Sequence, residues 1–496
     1  MKKNKIYNTL LFFLIFLAIL STVILKPLED LDEIWNYSFA RNISKGLIPY
    51  KDFNIIVTPL LSMICGIIIR IITDELIIMR VLTALLCSGI IFVIYKLFNL
   101  LKIKKELSII FIFFIGYLLK DIFCIDYNYA SLLLALIIIY KEIEFYRLDN
   151  VFIKTDKKQD LFLGALAGLA IITKQTSGIF IAISMLGNKL LFVKSKEELK
   201  KYIKGFVYRL IGICIPIMIF AIYLLINNAF LDFINYTILG VKEFNNSISY
   251  RTLLNVDLLG TLAILVPIVI IYIWVKTVIF EKDKKLYFFL AYGLALFVIC
   301  FPISNKIHFM IGALPIIVAS LYELNKLLQK IHNLNQIKIL KIVVKFILLT
   351  LQNIVILFLI YYTIVNFYNY FSKLDSCSDL KHFSYIPIDV ELQNQIKEVD
   401  DFIMVNKDVK MLDAAASVYM IPTDKYNKDY DMFNKGNLGI DGEKRIIEEI
   451  INSKDTYYLI LQDNFIKNWQ TPLNIIKCVK ENKTKIGEIE IFDIYK

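Results

Sequence analysis

From Ile6 to about residue 368 the sequence is a succession of apolar runs separated by short basic loops. A helix needs about 20 apolar residues to cross a hydrocarbon core of roughly 30 Å. The first run, Ile6 to Leu25, follows Lys2, Lys3 and Lys5. It exceeds a signal peptide's usual apolar length and has no small-residue cleavage site before Lys26-Pro27, so it reads as a retained anchor with a cytoplasmic N-terminus. Further runs fall at 76–98, 107–119, 127–146, 161–173, 178–193, 206–226, 258–277, 286–301, 308–325 and 343–368. The runs 161–173 and 178–193 are short and read as helices meeting at Lys174.

A shorter run, 57–72, carries Arg70 and precedes Asp74-Glu75, and it decides the topology. If it does not cross, 28 of the 39 Lys and Arg before residue 369 lie in cytoplasmic loops or span ends. If it does, the basic clusters lie outside, against the positive-inside rule. We read 57–72 as interfacial or re-entrant. Eleven spans then remain, and the C-terminus is extracytoplasmic.

Composition agrees. With 57% hydrophobic and 20% charged residues, the chain is more apolar and less charged than a soluble globule. Seven cysteines in 496 residues exclude a disulfide scaffold. The net charge of +11 raises the question of nucleic acid, and its distribution answers it. Residues 1–368 carry 39 basic and 23 acidic groups, whereas 369–496 carry 17 and 22. The excess is the signature of cytoplasmic loops, and no nucleic-acid partner is expected.

From about Asn369 the texture becomes polar. Glu391 to Val405 and Gly442 to Ile451 have helical spacing. Val409 to Leu412, Tyr457 to Leu461 and Ile486 to Ile494 read as strands, and Pro422 to Gly442 as a turn-rich loop. Cys377 and Cys478 both lie here, and whether they pair stays open. The expected fold class is therefore mainly α: a polytopic transmembrane helix bundle with a small C-terminal extracytoplasmic α/β domain. The boundary falls at 1–368 and 369–496.

The most informative stretch is the first loop, Lys26 to Pro59. Leu31 to Lys45 reads as a helix, with Asp30 as N-cap, Gly46 just past its end and Pro49 beyond. Asp32 and Asn36 share one face, with Arg41 and Lys45 roughly opposite. Acids in a first turn also complement the helix dipole, which is the plain alternative for Asp32 and Glu33. Asp30-Leu31-Asp32 matches the D-x-D of soluble nucleotide-sugar transferases, but nucleotide sugars are cytoplasmic and this loop is outside.

Other ionisable residues stand at the same ends of spans: Asp126, Lys174, and Lys306 with His308. Such groups are costly next to a bilayer and point to function by default. Lys174 has a snorkelling alternative, and Lys306 and His308 an ordinary loop alternative; Asp126 is too short to snorkel. The three histidines, at 308, 332 and 382, form no metal cluster in sequence. A divalent cation held by Asp32 and Asp126 stays open as a cofactor, with no spacing that calls for it.

Taken in order, these residues have a family likeness. Asp32-Glu33, Tyr37, Arg41 and Gly46 are followed by Ile48-Pro49-Tyr50-x-Asp52-Phe53 and Pro59-Leu60. Then come Asp126, the Gly164, Gly168 and Lys174 run, and Lys306 and His308 ahead of Pro315. Over residues 1–325 the chain resembles the GT-C superfamily of membrane glycosyltransferases, in the family 39-like branch with aminoarabinose transferases and protein O-mannosyltransferases. The resemblance implies a polyprenyl-phosphate sugar donor and transfer to an acceptor hydroxyl on the outer face of the cytoplasmic membrane. It places Asp32, with Glu33 beside it, at the catalytic position, and Asp126 at a second acidic one. The family's basic phosphate contact is missing, since Thr58 precedes Pro59, and Lys174, Lys306 and His308 are the substitutes.

The chemistry fits these residue types. Attack by a hydroxyl needs a base, and a departing lipid phosphate needs a cation. The competing class is a transporter or flippase of a lipid-linked saccharide. Carriers usually carry internal repeats and charges at the bilayer midplane. Neither is visible here, and the polar groups gather at one face.

Overall fold

The computed structural model describes residues 2–28, 31–149, 153–240, 247–334, 338–413, 416–425, 438–463 and 471–496. Every apolar run is helical, wholly or in most of its length. In chain order the helices are α1 (Lys2–Val23), α2 (Leu31–Ser44), α3 (Leu60–Ile71), α4 (Ile77–Leu100), α5 (Lys105–Leu119), α6 (Tyr127–Asp149) and α7 (Lys157–Thr173). Then follow α8 (Gln175–Gly187), α9 (Lys196–Ile226), α10 (Phe230–Ile234), α11 (Leu258–Trp274), α12 (Lys284–Phe297), α13 (Lys306–Leu334) and α14 (Lys338–Phe371).

Six of the described helices are long and apolar enough to cross a membrane. They run over Lys5–Val23, Ile77–Leu100, Lys196–Ile226, Leu258–Ile279, Lys306–Lys330 and Lys341–Phe371. Helices α5, α7, α8 and α12 have 15, 17, 13 and 14 residues. At 1.5 Å per residue they extend about 20–26 Å, short of a full bilayer. The run 57–72 gives the 12-residue α3.

The chain divides into two compact units, each assembled from separated segments. The first comprises Met1–Val23, Thr83–Ile219 and Ser247–Asn369. In it α6, α7, α8, α11, α12 and α13 pack around Leu132, Ile139, Ala167, Ile181, Phe289 and Leu314, all buried. Small residues set the helix spacing. A Cβ on Gly164 would lie 2.1 Å from the carbonyl oxygen of Arg209, and one on Gly168 2.4 Å from Pro216. These glycines thus bring α7 against the backbone of α9, the small-xxx-small packing familiar in membranes.

The same unit buries a charge network among residues far apart along the chain. Glu142 of α6 meets Lys189 at 3.0 Å and Arg209 at 2.9 Å, and Arg209 also meets Asp160 of α7 at 2.9 Å. Two acids against two bases leave no net charge, which is what makes such a cluster tolerable away from water.

The second unit comprises Ile24–Leu82, Phe220–Asn246 and Tyr370–Lys496. Its tail carries α15 (Val390–Val405), β1 (Val409–Met411), α16 (Ala416–Met420), α17 (Gly442–Asn452), β2 (Tyr457–Leu461), α18 (Leu473–Asn482), β3 (Lys485–Ile489) and β4 (Phe492–Tyr495). The sheet order is β1-β2-β4-β3, with β1 parallel to β2 and the other pairs antiparallel. Leu412, Ile446, Ile450, Ile460, Ile475 and Val479 form its core, where α17 and α18 pack together.

Several readings change in detail. Ile486 to Ile494, expected as one strand, is a hairpin that reverses at Glu490, whose φ is +49°. Helix α18 was not anticipated. Cys377 and Cys478 are free thiols, as is every other cysteine. The expected N-cap Asp30 and most of the loop 422–442 lie outside the described residues. Within this unit α3 packs on α2, and α16 also packs on α2. A Cβ at Gly66 would meet the Ala40 carbonyl at 2.7 Å, so this close approach requires glycine.

Candidate functional site

In the second unit the expected helix is present as α2, and its first turn carries Asp32 and Glu33. Asp32 is half-buried, and its main-chain carbonyl accepts from Asn36 Nδ2 at 2.8 Å. Glu33 is buried and differently placed. Its two carboxylate oxygens accept from Arg80 Nε and Nη2, each at 3.1 Å. The other Arg80 donors reach the carbonyls of Ile24, Lys26 and Pro27 at 3.3, 2.5 and 3.3 Å. Glu33, expected beside Asp32 as a catalytic acid, thus holds a fully buried guanidinium that staples the chain entering α2.

Arg41 and Lys45, at the other end of α2, converge on Asp424 of the tail. Asp424 accepts from Arg41 and Lys381, lies 2.6 Å from Lys45 Nζ, and lies 3.1 Å from His382 Nε2. Burial pushes its carboxyl up, but the bonds from Lys381 and Lys45 and the Arg41 charge outweigh this and hold it well below the usual carboxylate range. His382 is buried, with Nε2 2.6 Å from Arg41 Nη2 and Nδ1 3.2 Å from Asp74 Oδ2. Burial and then Arg41 lower its pKa, with Asp74 and Asp424 opposing.

Asp74, Glu75 and His382 each present one donor atom, and these atoms lie within 4.8 Å of one another. Among the described residues this is the group of three such side chains close enough together to hold a cation. Nothing in the sequence signals it, because His382 lies far along the chain from Asp74.

In the first unit Asp126 is buried, and its Oδ1 accepts the backbone N–H of Asn128 at 2.7 Å, capping α6. Lys174 occupies the break between α7 and α8 in extended conformation, φ −150° and ψ 109°. Its ammonium donates to Asn128 Oδ1 and lies 5.1 Å from the centre of the Tyr127 ring. Asp126 and Lys174 therefore meet on Tyr127-Asn128. His308 Nδ1 lies 2.7 Å from Asn305 Oδ1, which accepts the His308 backbone N–H at 2.9 Å. Lys306 turns elsewhere, to Asp121 Oδ2 at 3.6 Å, where Lys120 already binds at 2.7 Å. The structure thus brings Asp126 and Lys174 together on Tyr127-Asn128 and turns Lys306 to Asp121. Asn128 and Asn305, which bond Lys174 and His308, went unnoticed in sequence because an isolated amide carries no signal.

This arrangement of helices has counterparts among solved structures, which share the fold at low sequence identity. The chain is similar to ArnT, an aminoarabinose transferase from Cupriavidus metallidurans, in its undecaprenyl phosphate-bound structure (TM-score 0.58, 10% identity, 98% of this chain and 97% of that one). Its apo state gives a TM-score of 0.59 at the same identity and coverage. The Archaeoglobus fulgidus oligosaccharyltransferase tethered with an acceptor peptide matches over 90% of this chain and 68% of that one, at TM-score 0.51 and 11% identity. No family model and no curated protein matches the chain.

Proposed function

We propose that the protein is an integral membrane glycosyltransferase that moves a sugar from a polyprenyl-phosphate donor to an acceptor hydroxyl on the outer face of the membrane. The observation that carries this is the likeness, over nearly the whole of both chains, to a transferase bound to undecaprenyl phosphate. An acid in the first turn of the first-loop helix supports it.

In this reading Asp32 is the general base. It takes the proton of the acceptor hydroxyl as that oxygen bonds to the anomeric carbon. The bond from anomeric carbon to phosphate oxygen breaks, and the lipid phosphate leaves with the electron pair. Lys174 and His308 supply the charge and hydrogen bonding for that phosphate. Asp126 is a positioning residue, acting through the α6 N-terminus and Asn128. Glu33 serves the fold.

The test is transfer from a labelled polyprenyl-phosphate sugar in membranes containing the protein. Asp32→Asn is expected to lower it at least 100-fold while the protein keeps its wild-type melting temperature. Undiminished transfer by a folded Asp32→Asn protein would refute the assignment. Label that moves across the bilayer without leaving its lipid would favour a carrier instead.

A further inference from the structure

We propose that the cavity between α1, α5 and α14 is a binding site for one anionic glycerophospholipid of the surrounding bilayer, with an acyl chain in the cavity and the phosphate at Lys120. The site does not depend on the transfer reading, and its test reads bound lipid rather than product.

Helix α14 is the least packed of the long apolar helices, with no buried residue in its most apolar window. It meets α1 where Thr22 Oγ1 lies 3.4 Å from the Tyr362 hydroxyl and where the Asn366 amide lies 3.5 Å from Ser21 Oγ. It meets α5 where the rings of Phe113 and Phe358 pack edge to face at 5.9 Å. Between these contacts lies a cavity of about 210 Å³. Folded interiors hold few voids larger than a water molecule, and a cavity of about 150 Å³ lined by Leu, Ile and Phe already accepts a benzene ring.

The shape fits a hydrocarbon chain. Leu11 and Ile15 of α1, Ile112 of α5 and Leu359 of α14 are among its apolar walls. The polar groups of the lining are Thr22, Tyr117, Lys120 and Tyr362. Thr22, Tyr117 and Lys120 stand at the C-terminal ends of α1 and α5, and Tyr362 is beside Thr22. From Thr22 down to Leu11, and from Lys120 down to Ile109, is about 16 Å at 1.5 Å per residue. One leaflet of a hydrocarbon core of roughly 30 Å has that depth. The cavity is therefore a slot for an acyl chain with a polar mouth, too shallow for the much longer polyprenyl tail of the proposed donor.

The mouth selects the headgroup. Lys120 and Lys306 both face Asp121, at 2.7 and 3.6 Å, and two ammonium groups against one carboxylate leave a surplus positive charge. An anionic phosphodiester answers that charge, whereas a zwitterionic headgroup brings a cation of its own. Gly116 completes the slot. It lines the cavity, and a Cβ there has nothing within 4 Å, so a larger residue at 116 grows into the acyl chain's place without meeting backbone.

The experiment uses the full-length protein washed in detergent and titrated with phosphatidylglycerol or phosphatidylcholine, with bound lipid identified and counted by native mass spectrometry. One phosphatidylglycerol per chain is expected, bound about 10-fold more tightly than phosphatidylcholine. Gly116→Phe should weaken binding about 10-fold or more while melting no lower than wild type, and Gly116→Leu is the milder filling variant. Lys120→Gln should lower the preference for phosphatidylglycerol about fivefold, and Asp121→Asn should raise it by a similar factor. Lys194→Gln, at an exposed ion pair with Glu281, is the control and should bind as wild type. Four results would each overturn the proposal: no retained phospholipid, wild-type binding by folded Gly116→Phe and Gly116→Leu proteins, a headgroup preference that Lys120→Gln leaves intact, or displacement of the phospholipid by equimolar polyprenyl phosphate.

Discussion

Glu33 and Asp32 are neighbours with opposite expected responses to the same change. Glu33→Gln preserves shape but replaces the carboxylate that faces Arg80, a side chain with no exposed surface. Two of the guanidinium's hydrogen bonds end on Glu33 and three on main-chain carbonyls. Removing one partner of a buried ion pair typically costs about 3–5 kcal/mol. Glutamine keeps one oxygen acceptor and three carbonyls remain, so we place the loss at the lower end, about 3 kcal/mol. The assay is thermal unfolding in nanodiscs with a thiol-reactive dye, for which the buried Cys65, Cys87, Cys124 and Cys300 are reporters. Glu33→Gln should melt several degrees below wild type, and Asp32→Asn should not. Adding Arg80→Met to Glu33→Gln should restore part of the loss by removing the stranded charge. A Glu33→Gln protein that melts with the wild type would refute the reasoning, as would an Asp32→Asn protein equally destabilised.

Other consequences can be checked with the same preparation. Gly164→Ala should destabilise by about 1–3 kcal/mol, because the methyl group enters the Arg209 carbonyl and drives α7 from α9. Gly116→Ala, with nothing within 4 Å of the new methyl, is the comparison and should melt as wild type. The lowered pKa of Asp424 gives stability that is complete above its unfolded value of about 4 and is lost as pH falls toward the folded value. Melting curves from pH 6 to 3 should therefore show a shallower acid decline in Asp424→Asn than in wild type, and parallel declines would contradict the ion-pair hub. Lys174→Ala should raise the KM for the lipid-phosphate donor more than 10-fold with little change in melting, whereas Lys306→Ala, already paired with Asp121, should change it less than threefold.

What could be read from the chain, and what could not, follows the range of the interactions. Helix α2 was legible because its signals are local: acids at its start, Gly46 and Pro49 after its end. The break at Lys174 was legible because two apolar runs flank it. The β3–β4 hairpin was not, because its turn is made by Glu490 at positive φ rather than by glycine or asparagine. Glu33 looked the equal of Asp32 because its partner, Arg80, is 47 positions away. Gly164 and Gly168 were noticed as a motif, but their use as a contact face needed the backbone of α9.

By itself the sequence determined that this is a polytopic membrane protein with a polar tail, because hydropathy and basic loops act through a solvent, the bilayer, that reads each segment separately. It also marked Asp32, Asp126 and Lys174 as costly residues in need of a purpose. Only the tertiary structure decided how these charges are used. It gave Glu33 to Arg80, Lys306 to Asp121, Lys174 to Asn128, and joined the first loop to the tail through Arg41, Asp424, His382 and Asp74. The physical reason is that a buried charge or ring nitrogen is satisfied by whichever group folding brings within about 3 Å, and that neighbour is rarely close in sequence.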